Sequence, residues 1–195
     1  MSRTNLARPD EIRAAAVDLF TRLGYEATTM ADIGAAVGIR GPSLYKHVSS
    51  KMDLLAQIMT STMEDLLAAH RAALATVAED DPVLRLRRAT ETHVRYHARH
   101  RREAFVGSRE LRSLVQPHRD RVLGLRARYE RGFRDIIEAG VRAGRFGVAS
   151  PQLASYAVLD LGMGVAVWYR EDGELTEDEV VWQYGDFALR LVAAR

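Results

Sequence analysis

The 195-residue sequence has no cysteine and only two lysines, Lys46 and Lys51. The absence of cysteine excludes disulfides, thiolate zinc sites, iron–sulfur clusters and a cysteine nucleophile. Long apolar runs are missing as well, because the most apolar stretch, residues 153–169, contains Asp160 and is shorter than the ~20 apolar residues of a membrane span. The first residues also lack the apolar segment of a secretory signal. We therefore expect a soluble, cytoplasmic protein with no membrane partner.

Charge is nearly balanced over the whole chain but unevenly distributed along it. Twenty-eight basic residues oppose 26 acidic ones, which gives a formal net charge of +2. Residues 82–134 hold 15 arginines against five acids, whereas residues 171–179 hold six acids. The net charge therefore does not indicate nucleic-acid binding, and the evidence has to come from the position of particular residues.

Signals that start and stop helices recur along the chain, whereas no hairpin turn joins alternating strands. Helices are expected to begin at residues that favour an N-cap or a first turn: Pro9, Thr29, Pro42, Ser50, Ser150 and Thr176. The helices before residue 50 are short, and those after it are longer, including 83–102, 104–115, 117–143, 151–170 and 176–194. We predict an all-α fold with a three-helix, helix-turn-helix domain over residues 1–50 and a larger helical body over residues 51–195.

The third short helix, residues 42–48, has a polar surface that its own size does not explain. Leu44 and Val48 are four positions apart and can face the core, so the rest of the surface consists of Ser43, Tyr45, Lys46 and His47. A glycine-containing turn precedes this helix, as in a helix-turn-helix. Donors and acceptors at a helix N-terminus suit phosphates and base edges. These polar residues are therefore candidate DNA contacts.

Residues 9–51 resemble the DNA-binding head of the TetR family of transcriptional regulators. The resemblance depends on an ordered set of residues: Ala16, Leu19, Phe20, Gly24, Tyr25, Thr28, Thr29, Asp32, Ile33, Val37, Gly38, Ile39, Pro42, Ser43, Leu44, Tyr45, Lys46, His47, Val48 and Lys51. It implies that phosphates are contacted by Thr29, Tyr45 and Lys51. It also implies that the residues facing base edges are Arg40, Gly41, Pro42, Ser43 and His47.

Direct reading of bases is expected from Arg40, Ser43 and Lys46, because Gly41 has no side chain. Two arginines precede the first helix, Arg3 and Arg8. This leader has two interpretations: it reaches phosphates or the minor groove, or it is a disordered tail.

Three histidines of the body, His93, His97 and His100, recur at i, i+4 and i+7, a spacing that places them on one helix face. Three interpretations stay open. The imidazoles line a polar region of a binding cavity, or they are structural and internally hydrogen-bonded, or they hold a metal. Because no carboxylate shares the stripe, we predict no metal and no cofactor.

Other large side chains of the body are candidates either for the core or for the wall of an apolar ligand cavity between helices. The cavity candidates are Phe105, Tyr129, Phe133, Tyr156, Met163 and Trp168. Gly162 and Gly164 lie in mid-helix with no strand before them, so they do not form a dinucleotide-binding loop. They indicate instead that another helix approaches closely.

The family resemblance implies that the body binds a small-molecule effector and forms a homodimer through its last two long helices. The candidate interface is Leu161, Val165, Val180, Tyr184, Phe187 and Leu191. Residues 167–176, with Gln183 and Tyr184, further resemble TetR-type repressors of steroid and fatty-acid catabolism, whose effectors are acyl-CoA thioesters. The arginine-rich stretch then either meets the phosphates of CoA or forms solvated helix faces.

The implied function is that of a dimeric repressor on a pseudo-palindromic operator in duplex DNA, released by a small hydrophobic ligand. Two alternatives stay open: a helical small-molecule-binding protein without DNA function, and an enzyme acting on a thioester. We predict no enzyme, because the sequence has no nucleophile elbow, no glycine-rich phosphate loop and no His-Glu-x-x-His motif.

Overall fold

The computed structural model describes residues 9–39 and 41–195, with side chains for all of these except Gly41 and Pro42. Within these residues the chain forms α-helices and one short 3-10 helix, Leu111–Ser113, and it contains no strand. The α-helices are α1 (Pro9–Leu23), α2 (Met30–Ala36), α3 (Gly41–Leu44), α4 (Lys51–Leu74), α5 (Pro82–Arg99), α6 (Arg101–Glu110), α7 (His118–Arg142), α8 (Pro151–Trp168) and α9 (Glu177–Leu191). The all-α prediction is confirmed.

The predicted helix starts carry the expected caps. The hydroxyl of Thr29 accepts a hydrogen bond from the backbone N–H of Asp32, whose carboxylate accepts from the Thr29 N–H at 2.8 Å. Aspartate therefore closes a capping box in which glutamate or glutamine is usual. Thr176 forms the same box at α9, and the hydroxyls of Ser50 and Ser150 cap α4 and α8.

One apolar cluster joins the N-terminal helices to part of the body. Its fully buried members include Ile12, Phe20, Ile33, Leu44, Leu54, Leu55 and Val106. These residues belong to α1, α2, α3, the first half of α4 and α6. The boundary predicted after residue 50 coincides with the start of α4, yet the first half of α4 packs with the head. The head is therefore held in its orientation by α4 and α6, and the boundary itself stays a prediction.

A second cluster forms the centre of the body, where α5 packs against α4, α7, α8 and α9. Phe133 and Ile137 of α7 and Leu86 of α5 are fully buried in it. Helix α8 approaches α5 closely at Gly162: a Cβ at this position would lie 2.3 Å from Cδ2 of His93. The close approach that the sequence indicates is confirmed at Gly162. At Gly164 a Cβ would meet no atom of the same chain within 4 Å, so no helix of the protomer approaches there and the expectation stays a prediction.

The outer surface of α8 and α9 is apolar. Leu161, Trp168 and Phe187 are each more than 40% exposed, and Tyr184 lies between the two aromatic rings, 6.3 Å from Trp168 and 5.7 Å from Phe187 between centroids. Leu191 is half-buried in the same helix. We call Leu161, Trp168, Tyr184, Phe187 and Leu191 the α8/α9 face.

Two predicted interface residues do not belong to this face. Val165 is fully buried and Val180 is 3% exposed, and both pack inside the protomer with Val94 and Ala98 of α5. Their assignment to the dimer interface is wrong, because α8 and α9 carry apolar residues on both their inner and outer surfaces, and these two valines lie on the inner ones.

Candidate DNA interface and ligand clefts

Helices α2 and α3 are joined by the tight turn that a helix-turn-helix requires. Gly38 adopts φ +71°, a conformation that favours glycine, and the Ile39 N–H donates to the Gly34 carbonyl at 2.9 Å. Leu44 and Val48 are buried at 0% and 5% exposure, which confirms that they face the core. The turn and these two buried residues orient the polar side of the segment that begins with α3 toward the solvent.

The candidate DNA contacts differ in exposure. Tyr45 is 55% exposed, Lys46 and Thr29 are exposed, and Ser43 and His47 are half-buried. Arg40, with Arg3 and Arg8, lies outside the described residues, as do the side chains of Gly41 and Pro42. The described residues therefore form a polar surface at the end of the head, and their individual DNA contacts stay predictions.

Lys51 is placed differently from the expectation of a free phosphate ligand. Its ammonium donates to the carbonyls of Tyr25, Glu26 and Thr28 at 2.7, 3.2 and 2.8 Å, and lies 4.3 Å from the centre of the Tyr25 ring. An ammonium has three donors, and all three are used here. Lys51 therefore ties the first turn of α4 to the segment between α1 and α2. It reaches a phosphate only if one of these bonds is exchanged.

We expect Lys51→Met to lower the free energy of unfolding by about 2 kcal/mol, because three carbonyls lose charge-assisted hydrogen bonds. Chemical denaturation followed by circular dichroism measures this change. Lys46→Met is the matched control, since Lys46 is exposed, and its effect should stay within about 0.5 kcal/mol. Unchanged stability of Lys51→Met, with a salt dependence of DNA binding reduced by about one charge, would assign Lys51 to phosphate alone.

Two adjoining clefts lie among the body helices, and the first of them also reaches Thr21 of α1. The first, of about 910 Å³, is lined by Arg99, Arg101, Arg102 and Arg109 with residues of α6 and α8, and we call it the arginine cleft. The second, of about 540 Å³, is lined by apolar and charged residues of α4, α6, α7 and α8 around His93 and His97, and we call it the histidine cleft. Both clefts share five lining residues: Glu103, Ala104, Ser108, Asp160 and Met163. A single elongated ligand can therefore extend from one cleft into the other.

Most of the predicted ligand residues line these clefts. His93, His97, Tyr129 and Tyr156 line the histidine cleft, Phe105 lines the arginine cleft, and Met163 lines both. These placements support a ligand role, which stays a prediction for each residue.

Three predicted ligand residues lie elsewhere. Phe133 is fully buried in the body core, with its ring against His70 and His93. Trp168 belongs to the α8/α9 face. His100 follows the last residue of α5, and its ring packs on Tyr96 at 4.2 Å. The predicted three-histidine stripe is broken because the helix ends before His100.

His93 and His97 are held by hydrogen bonds inside the body. Nε2 of His93 donates to the Leu159 carbonyl at 3.0 Å, which leaves Nδ1 to accept from the Tyr129 hydroxyl at 3.0 Å. Nδ1 of His97 donates to the His93 carbonyl at 2.9 Å. Burial, together with the neighbouring imidazole, lowers the pKa of His93 well below its ordinary value, and burial also lowers the pKa of His97. Both present neutral rings to the cleft.

Several cleft residues were missed by sequence reasoning. Glu130 is buried, accepts two hydrogen bonds from the Arg134 guanidinium at 2.9 and 2.5 Å, and accepts a third from the Ser155 hydroxyl. Arg126 also lines the histidine cleft. The i, i+4 spacing of Glu130 and Arg134 is a visible signal for an ion pair, but it does not reveal burial.

His70 is the third buried imidazole of the body. It is 6% exposed, neither ring nitrogen has a hydrogen-bond partner, and the ring packs against Phe133 with centroids 5.0 Å apart. Desolvation first, and then the charges of Arg85 and Arg71, lower its pKa to about 4. The folded protein therefore holds His70 neutral under conditions in which the unfolded chain binds a proton.

This depressed pKa makes stability depend on pH. The contribution of His70 is fully present above pH ~6.5 and is lost as the pH falls from there toward 4, because only the unfolded chain takes up the proton. The expected loss from His70 alone is about 2 kcal/mol between pH 7 and pH 5. Urea unfolding at both pH values of the wild type and of His70→Leu measures it. An equal loss in both proteins would contradict the assignment.

Helix α6 connects the clefts to the head. It lines both clefts, and its Val106 is fully buried in the cluster that contains Phe20 and Leu44. Arg102 of α6 also forms an ion pair with Asp18 of α1 at 3.0 Å. A ligand that shifts α6 therefore shifts the packing partner of α1.

The described part of the chain contains no group of three or more His, Cys, Asp or Glu side chains arranged to hold a metal ion. None of its helices is long and apolar enough to span a membrane.

Two family models cover most of the chain. Residues 12–58 match the model for bacterial regulatory proteins of the tetR family, and residues 79–192 match the tetracyclin repressor-like C-terminal domain. The chain belongs to the TetR family of bacterial transcriptional regulators. Members of this family are regulators rather than enzymes, bind operator DNA and act as dimers.

Relatives and solved structures agree with this assignment. The HTH-type transcriptional repressor KstR2 of Rhodococcus jostii is 30% identical over 91% of this chain and 87% of its own length. A tetR-family regulatory protein from Rhodococcus RHA1 superposes with a TM-score of 0.88 at 31% identity, covering 99% of this chain and all of that one. The ketosteroid transcriptional regulator KstR2 of Mycobacterium tuberculosis superposes with a TM-score of 0.85 at 25% identity, over 96% and 95% of the two chains. The predicted ligand-responsive, DNA-binding repressor is confirmed at the level of the family.

Proposed function

We propose that this repressor is released from its operator by an acyl-CoA thioester whose acyl group derives from a lipid or a steroid. The observation that carries the proposal is the pair of adjoining clefts. Four arginines line the arginine cleft, which suits the phosphates of a nucleotide. The histidine cleft has an apolar part formed by Met63, Leu66 and Leu159, which suits an acyl chain or ring system, beside charged groups that include Arg126. The similarity to a ketosteroid transcriptional regulator supports an acyl group derived from a steroid or a lipid.

Release follows from the position of α6 between the ligand and the head. A ligand that occupies both clefts contacts Ala104 and Ser108 of α6, and α6 packs against α1. Moving α1 in both protomers changes the distance between the two recognition segments, which has to match two successive major grooves about 34–36 Å apart. The ligand must bind the two arrangements with different affinity, and a coupling of about 1–3 kcal/mol is typical.

The DNA contacts proposed for the head are the exposed Thr29, Tyr45 and Lys46, the half-buried Ser43 and His47, and the residues Arg40, Gly41 and Pro42. We also propose that the domain boundary lies after residue 50, where α4 begins and connects the head to the body. Since operator DNA in bacteria lies in the cytoplasm, we propose that compartment for the protein.

A gel shift on the DNA upstream of its own coding region tests the function. We expect the protein to retard this duplex and not an unrelated duplex of equal length, and decanoyl-CoA to release it. Coenzyme A and decanoate are the matched controls, because each carries one half of the proposed effector. DNA binding that no decanoyl-CoA concentration weakens would overturn the effector class, and absent retardation would favour a ligand-binding protein without DNA function.

A further inference from the structure

Among the described residues, Arg126 lacks the carboxylate partner that several arginines around the clefts have, as does Arg101, which donates to the Ala166 carbonyl at 3.0 Å. Arg99 and Arg102 form ion pairs with Glu177 and Asp18, and Arg134 pairs with a carboxylate one turn away. The guanidinium of Arg126 donates instead to a backbone carbonyl, that of Gly107, at 2.7 Å. Among the described residues, no ion pair involves Arg126. Burial therefore lowers its pKa with no carboxylate to oppose the effect.

A partly buried cation without a counter-charge is costly to the protein by itself. Five N–H donors are available on a guanidinium, and a single carbonyl uses few of them. Arg126 also lines the histidine cleft, beside Ala127 and Tyr129 of the same helix. The cleft thus contains a guanidinium that no carboxylate of the described residues pairs with.

We propose that Arg126 binds an anionic oxygen group of the effector, a carboxylate or a phosphate, and exchanges its hydrogen bond to Gly107 for this group. The inference rests on the proposed function and adds the residue that senses the ligand. The consequence for the structure follows from the position of Gly107, whose carbonyl Arg126 would release. Gly107 belongs to α6, so the Arg126 bond ties α7 to the helix that packs on α1. An anion that captures Arg126 frees α6 to move with the head.

Calorimetric titration of the full-length dimer with three probes tests this role. Decanoyl-CoA carries phosphates and a chain, coenzyme A carries phosphates alone, and decanoate carries a carboxylate and a chain. We expect Arg126→Gln to weaken at least one probe by about tenfold or more, because a charge-assisted, forked hydrogen bond is lost. A lower affinity of Arg126→Gln for coenzyme A identifies a phosphate as the partner of Arg126. A lower affinity for decanoate, with the affinity for coenzyme A unchanged, identifies a carboxylate.

Arg128→Gln is the matched control, because Arg128 belongs to the same helix but is exposed and lines neither cleft, and its effect should stay within about twofold. Arg126→Lys keeps the charge without the fork and should lose less affinity than Arg126→Gln. It also serves as the test variant if Arg126→Gln fails to fold.

Affinities of Arg126→Gln and Arg126→Lys within twofold of the wild type for every probe would overturn the proposal. A wild type that binds none of the probes would overturn it too. If the wild type binds decanoate through Arg126 but does not respond to decanoyl-CoA, the acyl-CoA effector is overturned and the role of Arg126 stands.

Discussion

Phe187→Asp is expected to convert the dimer into monomers and to weaken operator binding by about 100-fold or more. Phe187 is 44% exposed on the α8/α9 face, where it continues the aromatic row of Trp168 and Tyr184. A carboxylate buried at this face in both protomers has no counter-charge and loses its hydration. Two linked heads bind one duplex far more tightly than either head alone, so separation removes this gain. Light scattering measures the mass, and a gel shift measures the affinity.

Leu84→Asp is the matched control for this substitution. Leu84 is 38% exposed and lies in the first turn of α5, outside the α8/α9 face, where an acidic residue also suits the helix dipole. We expect this variant to stay dimeric and to bind DNA as the wild type does. A dimeric, DNA-binding Phe187→Asp variant would remove the α8/α9 face from the interface.

Gly162→Ala is expected to reduce the free energy of unfolding by about 3 kcal/mol and to disturb the histidine cleft. The added methyl group would lie 2.3 Å from Cδ2 of His93, so the imidazole or α8 has to move. Movement of the ring breaks its hydrogen bonds to the Tyr129 hydroxyl and the Leu159 carbonyl. Overpacking costs about 1–3 kcal/mol, and unsatisfied buried groups add a similar amount. Thermal and chemical denaturation measure the loss.

The control is Gly124→Ala in α7, where an added Cβ meets no atom within 4 Å. There the substitution should stabilise the helix slightly, by up to about 1 kcal/mol, because alanine favours helix more than glycine does. Equal behaviour of the two variants would show that His93 adapts without cost. A destabilised Gly162→Ala variant that also binds decanoyl-CoA more weakly would connect the packing of His93 to the cleft.

Most of the local structure of this protein follows from relations between residues that are a few positions apart in the sequence. Thr29 and Thr176 with acids three residues later, and Ser150 before Pro151, mark helix starts because each satisfies the first free backbone N–H groups. Leu44 and Val48 both face the core although α3 ends at Leu44, because the Val48 N–H still donates to the Leu44 carbonyl at 3.1 Å and so continues the helical turn. These relations span four residues or fewer, and the sequence alone predicts them.

Predictions about the faces of long helices were less accurate. Val165 and Val180 have the spacing of an interface stripe but are buried against α5. A helix such as α8, which packs on its own protomer on one side and presents the proposed dimer interface on the other, has apolar residues around most of its circumference. Periodicity then identifies the helix but does not separate its two apolar surfaces.

The sequence by itself determined the helical elements, their caps and the polar third segment of the head, because these depend on neighbours along the chain. Only the tertiary structure decided that Lys51 holds the segment between α1 and α2, and that Arg126 lines the histidine cleft with a backbone carbonyl as its partner. Lys51 and Tyr25 are 26 positions apart, and Arg126 and Gly107 are 19 apart. Contacts at such separations depend on how the helices pack, and helical periodicity carries no information about them.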